Sequence, residues 1–126
     1  MTGTDFLADT NAILYFLSGH KCMAAYASSS FAFSIISEME LLSWSKLTDP
    51  EEKRIRDFLS ECAPVSISEN VKETTIRLRK KYNIKLPDAV IAASAIESGL
   101  PLLSADIGFE KIQELKFVLI RPDKAE

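Results

Sequence analysis

The sequence predicts an α/β protein built on a parallel central sheet. Short apolar runs of strand length recur along the chain. Longer segments with apolar residues at i, i+3 and i+4 separate them, and helix-cap signals mark the junctions. Strands that are always separated by helical stretches pair in parallel, because a parallel neighbour is reached only by a long crossover.

Taken in order, Phe6-Leu7-Ala8 is a short buried run that stops at Asp9. Asn11 to Leu17 reads as a helix ended by Gly19, and Lys21 to Ala27 as a second short helical piece. Ser28-Ser29-Ser30 is a loop. Phe31 to Ile36 is apolar and rich in strand formers, so it reads as the second strand. Ser37 is then placed to cap a helix, with Glu40 three residues on as its capping-box partner. Asp49-Pro50-Glu51-Glu52 signals the next helix, with Asp49 as N-cap and Pro50 in the first turn. Ile55, Phe58, Leu59 and Cys62 form its apolar stripe, and Pro64 stops it. Val65 to Ile67 reads as the third strand. Ser68 caps a helix carrying Val71, Thr74, Thr75, Leu78 and Tyr82. Pro87 opens another, which runs to Gly99. Leu102-Leu103 is the fourth strand, ending near Ser104. Phe117 to Ile120 is the last, and Arg121 onward is a polar tail.

At 126 residues and 47% hydrophobic, the chain reads as one domain, 1–126, that can bury a core without staples. Its 15 basic and 18 acidic side chains leave a net charge of −3, so no global field attracts phosphate. A nucleic-acid ligand would need a local basic patch. Cys22 and Cys62 belong to no CxxC pair and read as reduced thiols of a cytoplasmic protein. The N-terminus has no basic region followed by an apolar run, and no stretch is apolar enough to span a bilayer, so neither a signal peptide nor a membrane segment is expected. His20, beside Gly19, reads as an exposed loop residue.

Ligands of open α/β sheets bind at the carboxyl ends of the strands. Asp9 directly follows the first strand, Glu40 lies about one helical turn past the second, and Asp106 comes two residues after the fourth. Asp88 heads a helix stripe of Ile91, Ala92, Ala95 and Ile96. A carboxylate heading a buried stripe must be paired, capped or metal-bound. Each acid also has a plainer reading: Asp9 as an N-cap, Glu40 as a capping-box partner, Asp88 as an acid favoured by the helix dipole, Asp106 as a turn residue. Glu38 competes with Glu40, but two residues apart on a helix they point roughly 200° apart. Convergence of four acids is what singles out a site. Converged carboxylates repel, and a hard divalent cation removes that conflict. Oxygen-only donors favour Mg²⁺ or Mn²⁺ over zinc.

The motifs that carry these acids resemble those of the PIN-domain family, most closely its small toxin members of the VapC type. They are Leu7-Ala8-Asp9-Thr10-Asn11, Ser37-Glu38-Met39-Glu40-Leu41-Leu42, Leu86 to Ala95 around Asp88, and Ser104-Ala105-Asp106-Ile107-Gly108-Phe109. The resemblance covers nearly the whole chain. It implies a three-layer α/β/α domain with a central parallel sheet of about four to five strands. It implies that Asp9, Glu40, Asp88 and Asp106 hold Mg²⁺ or Mn²⁺ and catalyse RNA phosphodiester hydrolysis. It puts Glu40 rather than Glu38 in the second position. Asn11, Ser37 and Ser104 would orient the carboxylates from behind. Homodimerisation and capture by an antitoxin, with Trp44 on that surface, are further implications.

The basic run Lys72, Arg77, Arg79, Lys80, Lys81 and Lys85 precedes Asp88 and is the candidate RNA-binding patch; its plainer reading is a solvated helix face. Other readings make weaker predictions. A catalytically silent scaffold would bind RNA or protein without metal. A phosphoacceptor receiver domain needs an acid pair after the first strand and an Asp ending the third, where Ser68-Glu69 stands. A dehalogenase-like phosphatase wants DxD after the first strand, whereas Asp5 and Asp9 are four apart.

Overall fold

A computed structural model describes residues 3–122. The polar tail expected after Arg121 falls mostly beyond them, and its last residues lie outside the described part.

Five strands, β1 (Phe6–Ala8), β2 (Phe31–Ser34), β3 (Ala63–Val65), β4 (Leu102–Ser104) and β5 (Phe117–Leu119), form one sheet in the order β3-β2-β1-β4-β5. Every pairing is parallel, as the alternation of strands and helices predicts. Five α-helices accompany them: α1 (Thr10–Leu17), α2 (Ile35–Leu42), α3 (Asp49–Ser60), α4 (Glu69–Lys81) and α5 (Leu86–Ser98). Two 3₁₀ segments, Lys21–Tyr26 and Ile107–Lys111, complete the fold.

The pleat sends alternate residues to opposite faces. Leu7, Ala32 and Leu102 join one buried cluster with Val71, Leu78, Ile91 and Ala92, which come from α4 and α5. Ala8, Phe31, Phe33 and Leu103 join the other with Ile13, Leu41, Ile55 and Leu59, from α1, α2 and α3. The result is the expected three-layer α/β/α sandwich. Within α5, Ala89 to Ala95 is buried throughout, a wider face than the single stripe the spacing predicts. Small side chains let this helix lie close under both the sheet and α4. Gly99 ends it in the left-handed conformation, φ 69°, as a C′ glycine should.

Four local expectations shift. The second strand stops at Ser34 rather than Ile36, and Ser34, not Ser37, caps α2 by accepting from the Ile36 amide. Ile35 and Ile36 look like strand residues in isolation, but the cap turns the chain before them. Ser37 is therefore inside the helix and fully buried. Thr48, not Asp49, caps α3 in a reciprocal capping box with Glu51. The third strand is Ala63–Val65 rather than Val65–Ile67, with Pro64 inside it. Proline is tolerated there because β3 is a sheet edge, where one side of the strand needs no donor. His20 is half-buried rather than free in a loop. Its Nδ1 accepts from the Cys22 amide and its ring meets Tyr15 edge-on. Cys22 and Cys62 are free thiols. No described helix is long and apolar enough to cross a membrane.

Candidate active site

Asp9 sits at the first position past β1, still tied to the sheet by its amide, which donates to the Leu103 carbonyl at 3.2 Å. Only 6% of it is exposed. One carboxylate oxygen, Oδ1, caps α1 by accepting from the Ala12 amide at 2.8 Å. The other, Oδ2, accepts from the Ser104 hydroxyl at 2.6 Å. The N-cap reading of Asp9 is thus correct and does not compete with a site role, because a carboxylate keeps further lone pairs after two such bonds.

Ser104 ends β4 and is itself buried. Its oxygen also accepts from the Asp106 amide at 2.9 Å, so one hydroxyl links the acid after β1 to the acid after β4. Asp106 caps the second 3₁₀ segment by accepting from Gly108 at 2.8 Å. A Cβ at position 108 would lie 3.0 Å from that same Asp106 oxygen, so glycine leaves the room this cap needs.

Asp88 stands in the first turn of α5. Its carboxyl is held above the ordinary carboxylate range, first by burial, then by the charges of Asp106 and Glu40, with Lys85 pulling the other way. Asp9 is likewise raised. Burial is the main cause, the bonds from Ser104 and Ala12 oppose it, and the charges of Asp106 and Asp88 add to it. Asp9 thus feels the charges of Asp106 and Asp88, and Asp88 those of Asp106 and Glu40.

Glu40 is exposed on the last turn of α2, but it is not loose. The Thr10 hydroxyl lies 2.6 Å from its Oε1 and 2.9 Å from the Ser37 hydroxyl. Thr10, which sequence reasoning did not single out, is the side chain that contacts Glu40. Asn11, the expected orienting residue, points to solvent and makes no side-chain hydrogen bond among the described residues. Adjacency to Asp9, on the helix that Asp9 caps, was the available signal. Ser37 and Ser104 do stand behind acids, Ser37 through Thr10 and Ser104 directly.

The basic run does not form one cradle. Lys72 pairs with Glu69, Lys81 with Glu114, and Arg77 donates to Thr74. Arg79 donates to the Ile84 carbonyl. Around α4, Arg77, Lys80 and Lys81 share an arc of about 100°, with Arg79 facing away. Lys85, in the short link before α5, is the one whose charge reaches an acid of the cluster.

Among the described residues, no three of Asp, Glu, His and Cys come close enough to enclose a cation by themselves. The donors here are carboxylate and hydroxyl oxygens, which suit a hard cation. Mg²⁺ typically keeps several waters and takes one or two carboxylates, together with substrate phosphate. The residues fit that open mode, not a closed protein cage.

A pH effect on stability follows. The raised carboxyl pKa values of Asp9 and Asp88 mean that the native state binds protons more tightly than the unfolded chain. The resulting stabilisation is complete below the ordinary value of 3.8 and is lost as pH rises through the raised native values. Metal-free protein should therefore lose part of its stability as pH rises through that window, and Mg²⁺ at neutral pH should restore it. Thermal melts across pH, with and without Mg²⁺, measure this. Unchanged melting in both comparisons would contradict the coupled acidic cluster.

No curated protein matches this chain. A chain of a toxin–antitoxin complex from Klebsiella pneumoniae is 32% identical, with a TM-score of 0.78 over 94% of this chain and 98% of that one. VapBC2 from Rickettsia felis, solved with a DNA fragment from its promoter, shares the fold at 23% identity and TM-score 0.78, covering 94% and 100%. VapBC-1 from nontypeable Haemophilus influenzae shares it at 20% identity and TM-score 0.73, covering 92% and 98%. The model of the PIN domain matches residues 6–115. A match that runs from the first residue of β1 almost to β5, and takes in all four acids, assigns the chain to the PIN-domain family.

Proposed function

We propose that the chain is a divalent-metal-dependent endoribonuclease, the toxin of a toxin–antitoxin pair. The observation that carries this reading is the coupled acid cluster at the carboxyl edge of the sheet, in a chain 32% identical to one found in a toxin–antitoxin complex. Asp9, Glu40, Asp88 and Asp106 would hold Mg²⁺ or Mn²⁺, which when bound supplies charge neutralisation at the phosphate and a water of lowered pKa.

The chain's own residues do the rest. Ser104 fixes Asp9 in position through a buried hydrogen bond, so the carboxylate need not reorganise when charge develops. Lys85 supplies a positive charge beside Asp88, where a phosphate would otherwise meet only acids. Arg77, Lys80 and Lys81 share a face on which the RNA backbone would run. A silent scaffold would have no need to bury Asp9 against two neighbouring charges.

The antitoxin reading has its own support. An open cavity of about 460 Å³ lies against α1, α2 and α3, lined by Leu14, Leu17, Trp44 and Leu47 and also by Thr10 and Glu40. Trp44 is 57% exposed and Leu14 45%. An amphipathic helix laid in this groove would cover both and bring a basic side chain to the acids.

Purified protein incubated with single-stranded RNA and Mg²⁺ or Mn²⁺ should cleave internally, and EDTA should stop it. A helical peptide with an apolar face and one arginine should inhibit, and Trp44→Ala should relieve the inhibition. Folded protein that leaves RNA intact under every metal condition would replace this reading with the scaffold one.

A further inference from the structure

Glu40 poses a positioning problem. It is an exposed side chain with three rotatable bonds, yet the reading above asks it to help hold a cation alongside Asp9, Asp88 and Asp106. A free glutamate at a helix surface samples many rotamers, and ordering it costs entropy. Its own helix does not hold it: the capping box expected with Ser37 is absent, because Ser34 caps α2.

Thr10 supplies the restraint. It is the first residue of α1, directly after the Asp9 cap, so its position is set by the same turn that sets Asp9. Its Oγ1 lies 2.6 Å from Glu40 Oε1 and 2.9 Å from Ser37 Oγ. A hydroxyl carries one proton. The carboxylate can only accept, so the Thr10 proton goes to Glu40, and the Ser37 proton goes to Thr10. Ser37 is 0% exposed, and Thr10 is its only side-chain partner among the described residues. The chain Ser37–Thr10–Glu40 therefore has one sense, from a buried donor outward to an exposed acid.

We infer that Thr10 is a positioning residue: oriented by Ser37, it holds one Glu40 oxygen and registers that acid to Asp9. This rests on the metal-site reading of the four acids. It also gives a physical reason for Glu40 over Glu38, since the Thr10 hydroxyl bonds to Glu40. Oε2 keeps no protein hydrogen bond among the described residues and is the oxygen left for a cation or its water.

Calorimetry with Mn²⁺ alone tests this on the intact chain. Thr10→Val keeps the shape and removes the hydroxyl; it should weaken Mn²⁺ binding at least about tenfold, the scale found when a group behind a metal ligand is lost. Thr10→Ser should restore binding. In a Glu40→Gln background, Thr10→Val should cost little more, a coupling that a purely structural role would not produce. Ser37→Ala, which leaves the Thr10 side chain in place, should weaken binding severalfold and serves if Thr10→Val does not fold. Wild-type affinity in both Thr10→Val and Ser37→Ala, failure of Thr10→Ser to rescue, or an equal loss with and without Glu40 would each overturn the inference and leave the four-acid reading standing. A folded wild type that binds no Mn²⁺ would overturn both.

Discussion

Asp9→Asn is expected to lower metal-dependent RNA cleavage by about 10²–10³-fold, the loss of roughly 3–4 kcal/mol of transition-state stabilisation. The amide oxygen can still accept from Ala12, so α1 remains capped, while the amide nitrogen takes the place of the oxygen that met Ser104 and can only donate to that hydroxyl. What disappears is the negative charge at the most buried of the four acids. The same change should raise the stability of metal-free protein at neutral pH, because the raised pKa of Asp9 marks a charge that folding penalises. Cleavage rates under single-turnover conditions and a denaturant melt of the same sample give both numbers. A folded variant that cleaves like wild type would remove Asp9 from the mechanism; one that is inactive and less stable would show that its role is structural.

Leu7→Ala should cost about 2–5 kcal/mol of folding free energy. Leu7 is 0% exposed on the central strand, paired with Ala32 and with Leu102, and it faces the cluster under α4 and α5. The surrounding backbone is held by strands on both sides, so the cavity cannot collapse easily. Small domains are stable by roughly 5–15 kcal/mol, so the loss is a large fraction of the total. Urea unfolding should show a lower midpoint with an unchanged slope. A loss under about 1 kcal/mol would mean that this face of the sheet is not close-packed as described.

Much of the fold was legible because it depends on local patterning. Apolar runs and helix periodicity fix which segments are strands and helices, and the enforced crossovers make the sheet parallel. The errors fall where a tertiary fact outranks a local one. Pro64 reads as a breaker until β3 is known to be an edge. Ile35 and Ile36 read as strand until the Ser34 cap turns the chain. Neither outcome can be computed from neighbours in sequence alone.

The candidate acids were legible for the same reason: Asp9, Asp88 and Asp106 stand at strand and helix ends, and rules for α/β sheets say which ends matter. What surrounds them was not. Ser104 and Asp9 are far apart in sequence yet share a 2.6 Å hydrogen bond, and Thr10 reaches Glu40 across α1 and α2. The family resemblance implied Asn11 as an orienting residue, whereas helix phase sends Asn11 outward and leaves Thr10 facing α2. The basic run also divided among separate partners, with Lys72 and Lys81 in ion pairs and Arg77 and Arg79 on neutral acceptors, and Lys85 is the one whose charge reached the cluster. The sequence by itself determined the element order, the parallel sheet and the acids at its edge, because each follows from residue type and period along one segment. Only the tertiary structure decided the pKa directions, the hydroxyls behind the acids and the open, cage-free geometry of the site, because each depends on distances between segments that meet only in the fold.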